Sequence, residues 1–424
     1  MTSETTARTF SKAIELARKT VVIKMRNQSL FEDQRLTIHQ TLELTAESLR
    51  TYGARFPHWA IAYSGGKDSS ATVSVITWLI EQGAIPKPES LTVLYADTRM
   101  ELPPLQIAAM ELLGALERRG IETRVVLPEL DDRFFVYMLG RGVPPPKNRF
   151  RWCTSQLKIE PMLAALFELR EEYGQKFLML TGVRLGESSQ RDARIQLSCS
   201  RDGAECGQGW FQEATPDSIA DTLAPLLHWR VCFVWDWLMG FVENHGLPTR
   251  AIAETYGVAE DGSAADIGTR TGCVACNLAS NDTALDIVLK LPHWKYLEPL
   301  KRLRPLYAEL TLFKNRLQKD GTERNKDGEL SKNPGRKGPL TMAARRMALD
   351  SVISIQAEIN IAAKREGRPF VSLINDAEHG RIEELIAANT WPDKWSGDEP
   401  VGDELLPRVF GDGKVQNLLP ILSR

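Results

Sequence analysis

One stretch limits this chain more than any other: Trp59-Ala-Ile-Ala-Tyr-Ser64-Gly65-Gly66-Lys67-Asp68-Ser69-Ser70. The apolar run Trp59 to Tyr63 has the length and composition of a buried strand. Asp68 to Gln82 has the 3.6-residue periodicity of a helix. The Ser-Gly-Gly turn between them has to send the chain from a strand into a helix N-terminus. Such a turn exposes unpaired N–H groups at the positive end of the helix dipole, where an anion binds. Gly65 and Gly66 allow positive φ and close approach of a ligand to the backbone. Lys67 adds a full positive charge, Ser64 and Ser69 add hydroxyls, and Asp68 can cap the helix or hold a metal. The four residues that separate Gly from Gly-Lys in a Walker A loop are absent, so this is a different phosphate cradle.

The alternation continues downstream. Strands are predicted at 59–63, 91–96, 122–127 and 177–181, and helices at 68–82, 103–119, 131–139 and 156–173. That order predicts an α/β fold: a parallel sheet with helices on both faces, its ligands at the carboxyl ends of the strands. Ser64–Ser69, Asp97 and Gly182–Arg184 all fall at such ends. Four regions follow from the pattern: a helical segment 1–55, a nucleotide-binding domain 56–190, a cysteine-bearing region 191–300, and a helical, basic region 301–424 with an acidic tail. Residues 297–319 and 339–364 read as helical, and the polar, glycine-rich segment 320–338 between them as a loop.

The 424 residues are ample for several domains. A net charge of −2 gives no global signal for nucleic acid, but the charge is uneven. Residues 301–346 hold thirteen Lys/Arg against five Asp/Glu, and 376–404 hold nine Asp/Glu against two Lys/Arg. No apolar run approaches the roughly 20 residues of a membrane span, and the N-terminus has no signal-peptide pattern. A cytoplasmic protein is expected, with its six cysteines reduced.

Three further clusters carry chemistry. Asp97-Thr98-Arg99-Met100-Glu101 follows a strand and can meet a nucleotide or simply cap a helix. Lys147, Arg149, Arg151 and Lys158 surround Cys153, a setting expected to neutralise phosphates and lower the thiol's pKa. Gly182-Val-Arg184-Leu-Gly-Glu187-Ser188-Ser189-Gln-Arg191 offers two arginines for phosphate. Among the other cysteines, Cys273 and Cys276 form a Cys-x-x-Cys, and Cys199 and Cys206 form a second pair. Four thiolates suit tetrahedral zinc or a [4Fe–4S] cluster, and the spacing does not choose between them. Cys232, in an apolar run, is expected in the core.

The Ser-Gly-Gly-Lys-Asp-Ser hexapeptide resembles the signature of the PP-loop ATP pyrophosphatases, which cleave ATP between its α and β phosphates. Arg151-Trp-Cys-Thr-x-x-Leu-Lys-Ile-x-Pro161 and Gly182-x-Arg-x-x-Glu-Ser-x-x-Arg191 resemble motifs of the DNA phosphorothioation sulfurtransferases of the Dnd and Ssp systems; the first resembles, more loosely, a motif of phosphoadenylyl-sulfate reductases. The resemblance implies an adenine nucleotide alpha hydrolase-like fold, binding of ATP with Mg²⁺ by Ser64–Ser69, Asp97, Glu101 and Gly182, and catalysis by Lys67, Asp68, Arg184, Arg191 and Cys153. It also implies an iron–sulfur cluster, with Cys199, Cys206, Cys273 and Cys276 as the candidate ligands. In those sulfurtransferases a third cysteine lies about eighteen residues before the pair. Thr255 stands there in this chain, so Cys199, Cys206 or Cys153 has to supply what is missing.

The implied activity is adenylation of a DNA backbone phosphate for sulfur incorporation. DNA, a cysteine desulfurase as sulfur donor and other proteins of the modification system would be the partners. A cationic path to the site is expected from Arg141–Arg151 and from Lys301–Arg346, including Arg336, Lys337, Arg345 and Arg346. Three alternatives remain: a sulfonucleotide reductase, a tRNA thiolation enzyme, and a zinc-stabilised scaffold. The absence of any cysteine after Cys276 counts against the reductase.

Overall fold

The structure is a computed structural model that describes residues 36–148, 150–185, 210–212, 218–257, 272–319, 328–329, 336–402, 408–409 and 414–416. The chain divides into two compact units. The first comprises Met1–Ala96, Pro104–Val126 and Met162–Thr269; the second comprises Asp97–Pro103, Leu127–Pro161 and Arg270–Arg424.

The first unit is built on a six-stranded sheet. Its strands are β1 (His58–Tyr63), β2 (Ser90–Ala96), β3 (Glu122–Val126), β4 (Phe177–Leu180), β5 (Trp210–Gln212) and β6 (Ala220–Ala224), in the order β3-β2-β1-β4-β6-β5. All pairs are parallel except β5 with β6 at one edge. This is the expected α/β fold, mostly parallel. Its main helices are α1 (Ile38–Ser48), α2 (Lys67–Glu81), α3 (Pro103–Glu117) and α4 (Glu160–Tyr173). Strand side chains alternate between the two faces. Ala60, Leu94, Phe177 and Met179 pack with Leu169 of α4, joined by Met162, Leu166 and Tyr173. On the opposite face Tyr63 receives a hydrogen bond from Ser70 of α2 (3.5 Å).

Helix α2 is buried almost all round, from Ser69 to Leu79, although it carries five Ser and Thr residues in that span. Four of those hydroxyls donate back to the carbonyl one turn earlier: Ser70 to Gly66, Thr72 to Asp68, Ser74 to Ser70 and Thr77 to Val73. The polar groups are thereby satisfied inside the helix, so a buried position is tolerable.

The chain order reverses on either side of β1: β2 and β3 lie to one side, β4 and β6 to the other. Strands are thus added in opposite directions on the two sides of β1. In parallel sheets this switch point opens a crevice at the strands' carboxyl ends. Ser64–Lys67 leaves β1 there, and Thr181–Arg184 leaves β4.

The second unit contains the antiparallel pair β7 (Arg316–Gln318) and β8 (Lys337–Leu340), and the helices α5 (Met342–Glu366) and α6 (Asp376–Ala387). Residues 316–318 and 337–338, expected as helix and loop, are thus strand, while 339–364 is helical over nearly its whole length. In place of helix 131–139 there are a short turn at Leu130–Asp132 and a wide helical turn at Val136–Gly140.

Two basic residues of the expected DNA path are buried. Arg345 donates to the carbonyls of Leu139, Gly140 and Thr390, and Arg316 donates to that of Gly338. Burial lowers the pKa of each guanidinium to about 10. Both serve the fold and leave the candidate surface. Arg346, by contrast, is exposed and paired with Glu383 at 3.5 Å. No described helix is long and apolar enough to cross a membrane.

Candidate functional site

In the first unit the turn after β1 is organised by three glycines. Gly65 has φ +73°, a conformation L side chains rarely adopt, and a Cβ there would stand 3.1 Å from Ala109. Gly66 is the N-cap of α2 and supplies no side chain to its first-turn N–H groups. Gly182, after β4, lies so close to α2 that a Cβ would stand 3.0 Å from the carbonyl carbon of Asp68 and from the amide nitrogen of Ser69. Glycine at 182 lets the two loops meet.

The charges form a chain. Lys67 Nζ meets Asp68 Oδ2 at 2.8 Å, and Asp68 Oδ1 accepts from Arg184 Nε at 2.5 Å. Arg184, only 4% exposed, also donates to the Trp229 carbonyl at 3.0 Å. One carboxylate between two cations leaves a net positive charge, reinforced by the helix dipole. Ser64 and Ser69 share a hydroxyl contact of 3.1 Å, and Ser69 donates to the Gly66 carbonyl. The arrangement is a preorganised cationic seat at a helix N-terminus, suited to a polyphosphate. Sequence reasoning missed Tyr256. Its hydroxyl accepts from the Lys67 N–H at 3.1 Å across 189 positions, with no motif to mark it.

In the second unit Asp97 is 7% exposed and accepts from the Arg99 N–H at 2.8 Å. Arg99 itself has φ +63°. It is held there by Glu378 at 3.1 Å, a buried carboxylate that also pairs with Arg133 at 3.2 Å. Ion pairing thus supports a backbone conformation that glycine would adopt freely.

The second unit also brings together Cys153, Cys273 and Cys276. Cys273 forms an isolated antiparallel bridge with Glu101, so their side chains stand side by side. The Cys-x-x-Cys turn has Ala275 at φ +53° and is pinned by Asp282, which accepts from the Ala275 N–H. Arg304 donates to the carbonyls of Ala279 and Ser280 just beyond. Burial pushes the Cys273 thiol up to about 11, against the opposing pull of Lys158; Glu101, Cys276 and Cys153 add to the rise. Burial also raises the Cys153 thiol, with Cys276 next in effect and Lys158 only partly opposing. The expected lowering of the Cys153 pKa is therefore overturned: desolvation outweighs the nearby cation. Cys232, expected in the core, is exposed. The short helix Val231–Trp235 turns Val234 and Trp235 inward instead.

Two buried polar atoms border these thiols without a hydrogen-bond partner, Glu101 Oε2 and the Tyr307 hydroxyl. The Glu101 carboxyl is raised by burial, against a bond from Thr98 to its other oxygen at 2.6 Å. Tyr307 is raised by burial and by Cys273 and Cys276. Three thiols and two unpartnered polar atoms thus lie together in the second unit. Among the described residues no group of three or more His, Cys, Asp or Glu is placed to hold a metal ion. Arg149, Glu187, Ser188, Arg191, Cys199 and Cys206 lie outside the described residues.

Residues 58–256 match the family described as the phosphoadenosine phosphosulfate reductase domain. An uncharacterized protein of Methanocaldococcus jannaschii is 25% identical over 177 residues, 42% of this chain; the match spans about a third (34%) of that relative's length. Three solved structures are similar to parts of this chain. The phosphoadenylyl-sulfate reductase of Candida auris, solved with phosphate, is 14% identical with a TM-score of 0.34, covering 57% of this chain and 98% of that one. The FMN adenylyltransferase of Candida glabrata, solved with FMN and an ATP analogue, is 16% identical with a TM-score of 0.31, covering 54% and 65%. The U34-tRNA thiolase of Methanococcus maripaludis, solved with its [4Fe–4S] cluster, is 16% identical with a TM-score of 0.31, covering 62% and 80%.

Proposed function

We propose that this protein is an ATP pyrophosphatase-type sulfurtransferase that activates a DNA backbone phosphate for sulfur incorporation. The observation that carries the nucleotide half is the cationic seat of Lys67, Asp68 and Arg184 at the start of α2. Lys67 and Arg184 would neutralise the β and γ phosphates and stabilise the leaving pyrophosphate. Asp68 orients both cations and is the carboxylate at hand for Mg²⁺, although both its oxygens are engaged by Lys67 and Arg184. Asp97 and Glu101, in the other unit, are the further candidates for nucleotide contact: Asp97 accepts from the Arg99 N–H, and Glu101 accepts from Thr98 through one oxygen while the other has no partner.

In the proposed reaction a non-bridging phosphate oxygen of DNA attacks the α phosphorus of ATP and pyrophosphate leaves. The terminal sulfur of a persulfide then attacks the DNA phosphorus and AMP leaves. A second thiol attacks the inner sulfur, so that a disulfide forms and the phosphorothioate keeps the outer sulfur. Cys153, Cys273 and Cys276 would hold a [4Fe–4S] cluster, which would supply soft iron able to carry sulfur. The raised thiol pKa values mean that these cysteines must shed protons to ligate, and Lys158 opposes that rise in both Cys153 and Cys273. A cysteine desulfurase would deliver the persulfide, in the cytoplasm, with other proteins of a modification system.

The family match over 58–256 favours a second reading, reduction of a sulfonucleotide by a thiol. That reading requires a thiol nucleophile, for which Cys153 is the candidate. Transfer of ³⁵S from a persulfidated cysteine desulfurase to DNA or to tRNA, with ATP, separates the readings. Label in nuclease-resistant DNA dinucleotides is expected. Label in tRNA, or sulfite release from a sulfonucleotide without DNA labelling, would replace this proposal.

A further inference from the structure

The strongest unassigned feature is Tyr256. It caps the short helix Arg250–Thr255, is 4% exposed, and packs its ring edge-on against Trp235 at 5.2 Å. Its hydroxyl oxygen accepts from the Lys67 N–H at 3.1 Å and lies 3.3 Å from where a Cβ on Gly66 would be. Lys67 Nζ stands 5.5 Å from the centre of the same ring. Lys67 is the first residue of a fifteen-residue helix whose cap supplies no side chain. Its N–H is one of the orphan donors that an anion at a helix N-terminus accepts from. The seat is thus taken by an uncharged oxygen of the protein itself.

We infer that the Tyr256 hydroxyl is a surrogate for a phosphate oxygen, holding the Lys67 N–H while the loop is empty and being displaced by the polyphosphate of a bound nucleotide. This rests on the nucleotide reading above. An exchange of this kind is favourable, because an N–H bond to a charged phosphate is about twice as strong as one to a neutral hydroxyl. It nonetheless weakens binding, since the bond broken on entry is worth about fivefold in affinity. The same exchange runs in reverse when pyrophosphate leaves: the hydroxyl retakes the N–H, which would otherwise be left buried and unpaired. Tyr256 then trades nucleotide affinity for product release.

The test is calorimetric titration of inorganic pyrophosphate, with Mg²⁺, into the full-length wild-type, Tyr256→Phe and Lys67→Ala proteins. Tyr256→Phe keeps the ring against Trp235 and removes only the oxygen. It should bind pyrophosphate about five- to tenfold more tightly, with a matching rise in product inhibition. Equal or weaker binding by Tyr256→Phe overturns the inference; weaker binding would make the phenol a donor to phosphate. If that variant does not fold, 3-fluorotyrosine placed at position 256 alone gives one ¹⁹F resonance. A shift at saturating pyrophosphate supports displacement, and an unmoved resonance refutes it. Wild-type binding that Lys67→Ala abolishes and Tyr256→Phe leaves unchanged sinks only the role of Tyr256. Absence of binding by all three proteins sinks the nucleotide reading and this inference together.

Discussion

Gly182→Ala probes the junction of the two loops with a single methyl group. The added Cβ would stand 3.0 Å from the Asp68 carbonyl carbon and the Ser69 nitrogen, and 3.1 Å from the Asp68 oxygen. Carbon contacts settle at about 3.5–4.0 Å, so the end of β4 and the start of α2 must part by roughly half an ångström. All three obstructing atoms are backbone, and no rotamer change relieves them. Overpacking of this kind costs about 1–3 kcal/mol. The displacement also falls on Asp68, whose carboxylate fixes Lys67 at 2.8 Å and Arg184 at 2.5 Å. A misplacement of about 1 Å can cost 10²-fold in rate, so a shift half as large should slow ATP cleavage about tenfold. Urea unfolding and AMP formation measure the two effects. Gly240→Ala is the control: nothing lies within 4 Å of its Cβ position, and it should be neutral or slightly stabilising. Wild-type stability and rate in Gly182→Ala would refute the close packing of β4 on α2.

Four further outcomes are expected. Arg345→Met strands the carbonyls of Leu139, Gly140 and Thr390 and should destabilise the protein by about 3 kcal/mol or more in urea, whereas Arg346→Ala should fall within about 0.5 kcal/mol of wild type. Hydrogen bonds from Arg381 hold the Asp131 carboxyl below its ordinary 3.8. Its folded pKa is therefore the lower one, and its contribution is present above that range and lost as pH falls through it; Asp131→Asn should flatten the acid limb of a stability-versus-pH curve. Exposed Cys232 should react with a thiol reagent well before Cys273, and Cys232→Ser should remove one equivalent from the fast phase. Protein isolated without oxygen should carry iron and absorb in the visible; Cys153→Ser, Cys273→Ser and Cys276→Ser should each lose it, and a colourless zinc protein would reassign the thiols to a structural metal.

The sheet could be read from the sequence where strand and burial coincide. β1, β2 and β4 are nearly continuous apolar runs buried on both faces, so their limits emerge within a residue or so. β6 escapes because it reads Ala-Asp-Thr-Leu-Ala, with buried Asp221 paired to Lys176 at 2.5 Å, a partner 45 positions away. Cys232 misleads for a related reason: in a short helix, adjacent apolar residues do not share a face. The Lys67 seat was visible because a strand, a glycine turn and a helix occur together in one dozen residues. Tyr256, Trp229 and Tyr307 were not visible, because each reaches its site through tertiary contact and belongs to no local pattern. Arg345 shows the limit of charge counting: a run of cations looked like a surface, and one of them is the peg that joins three carbonyls of the fold.

The most direct test of the nucleotide chemistry is ³¹P NMR of the products formed from ATP by the wild-type protein and by Lys67→Ala, with DNA present. The account predicts AMP and pyrophosphate from the wild type and neither from the variant. Formation of ADP and inorganic phosphate, or unchanged AMP from Lys67→Ala, would contradict it.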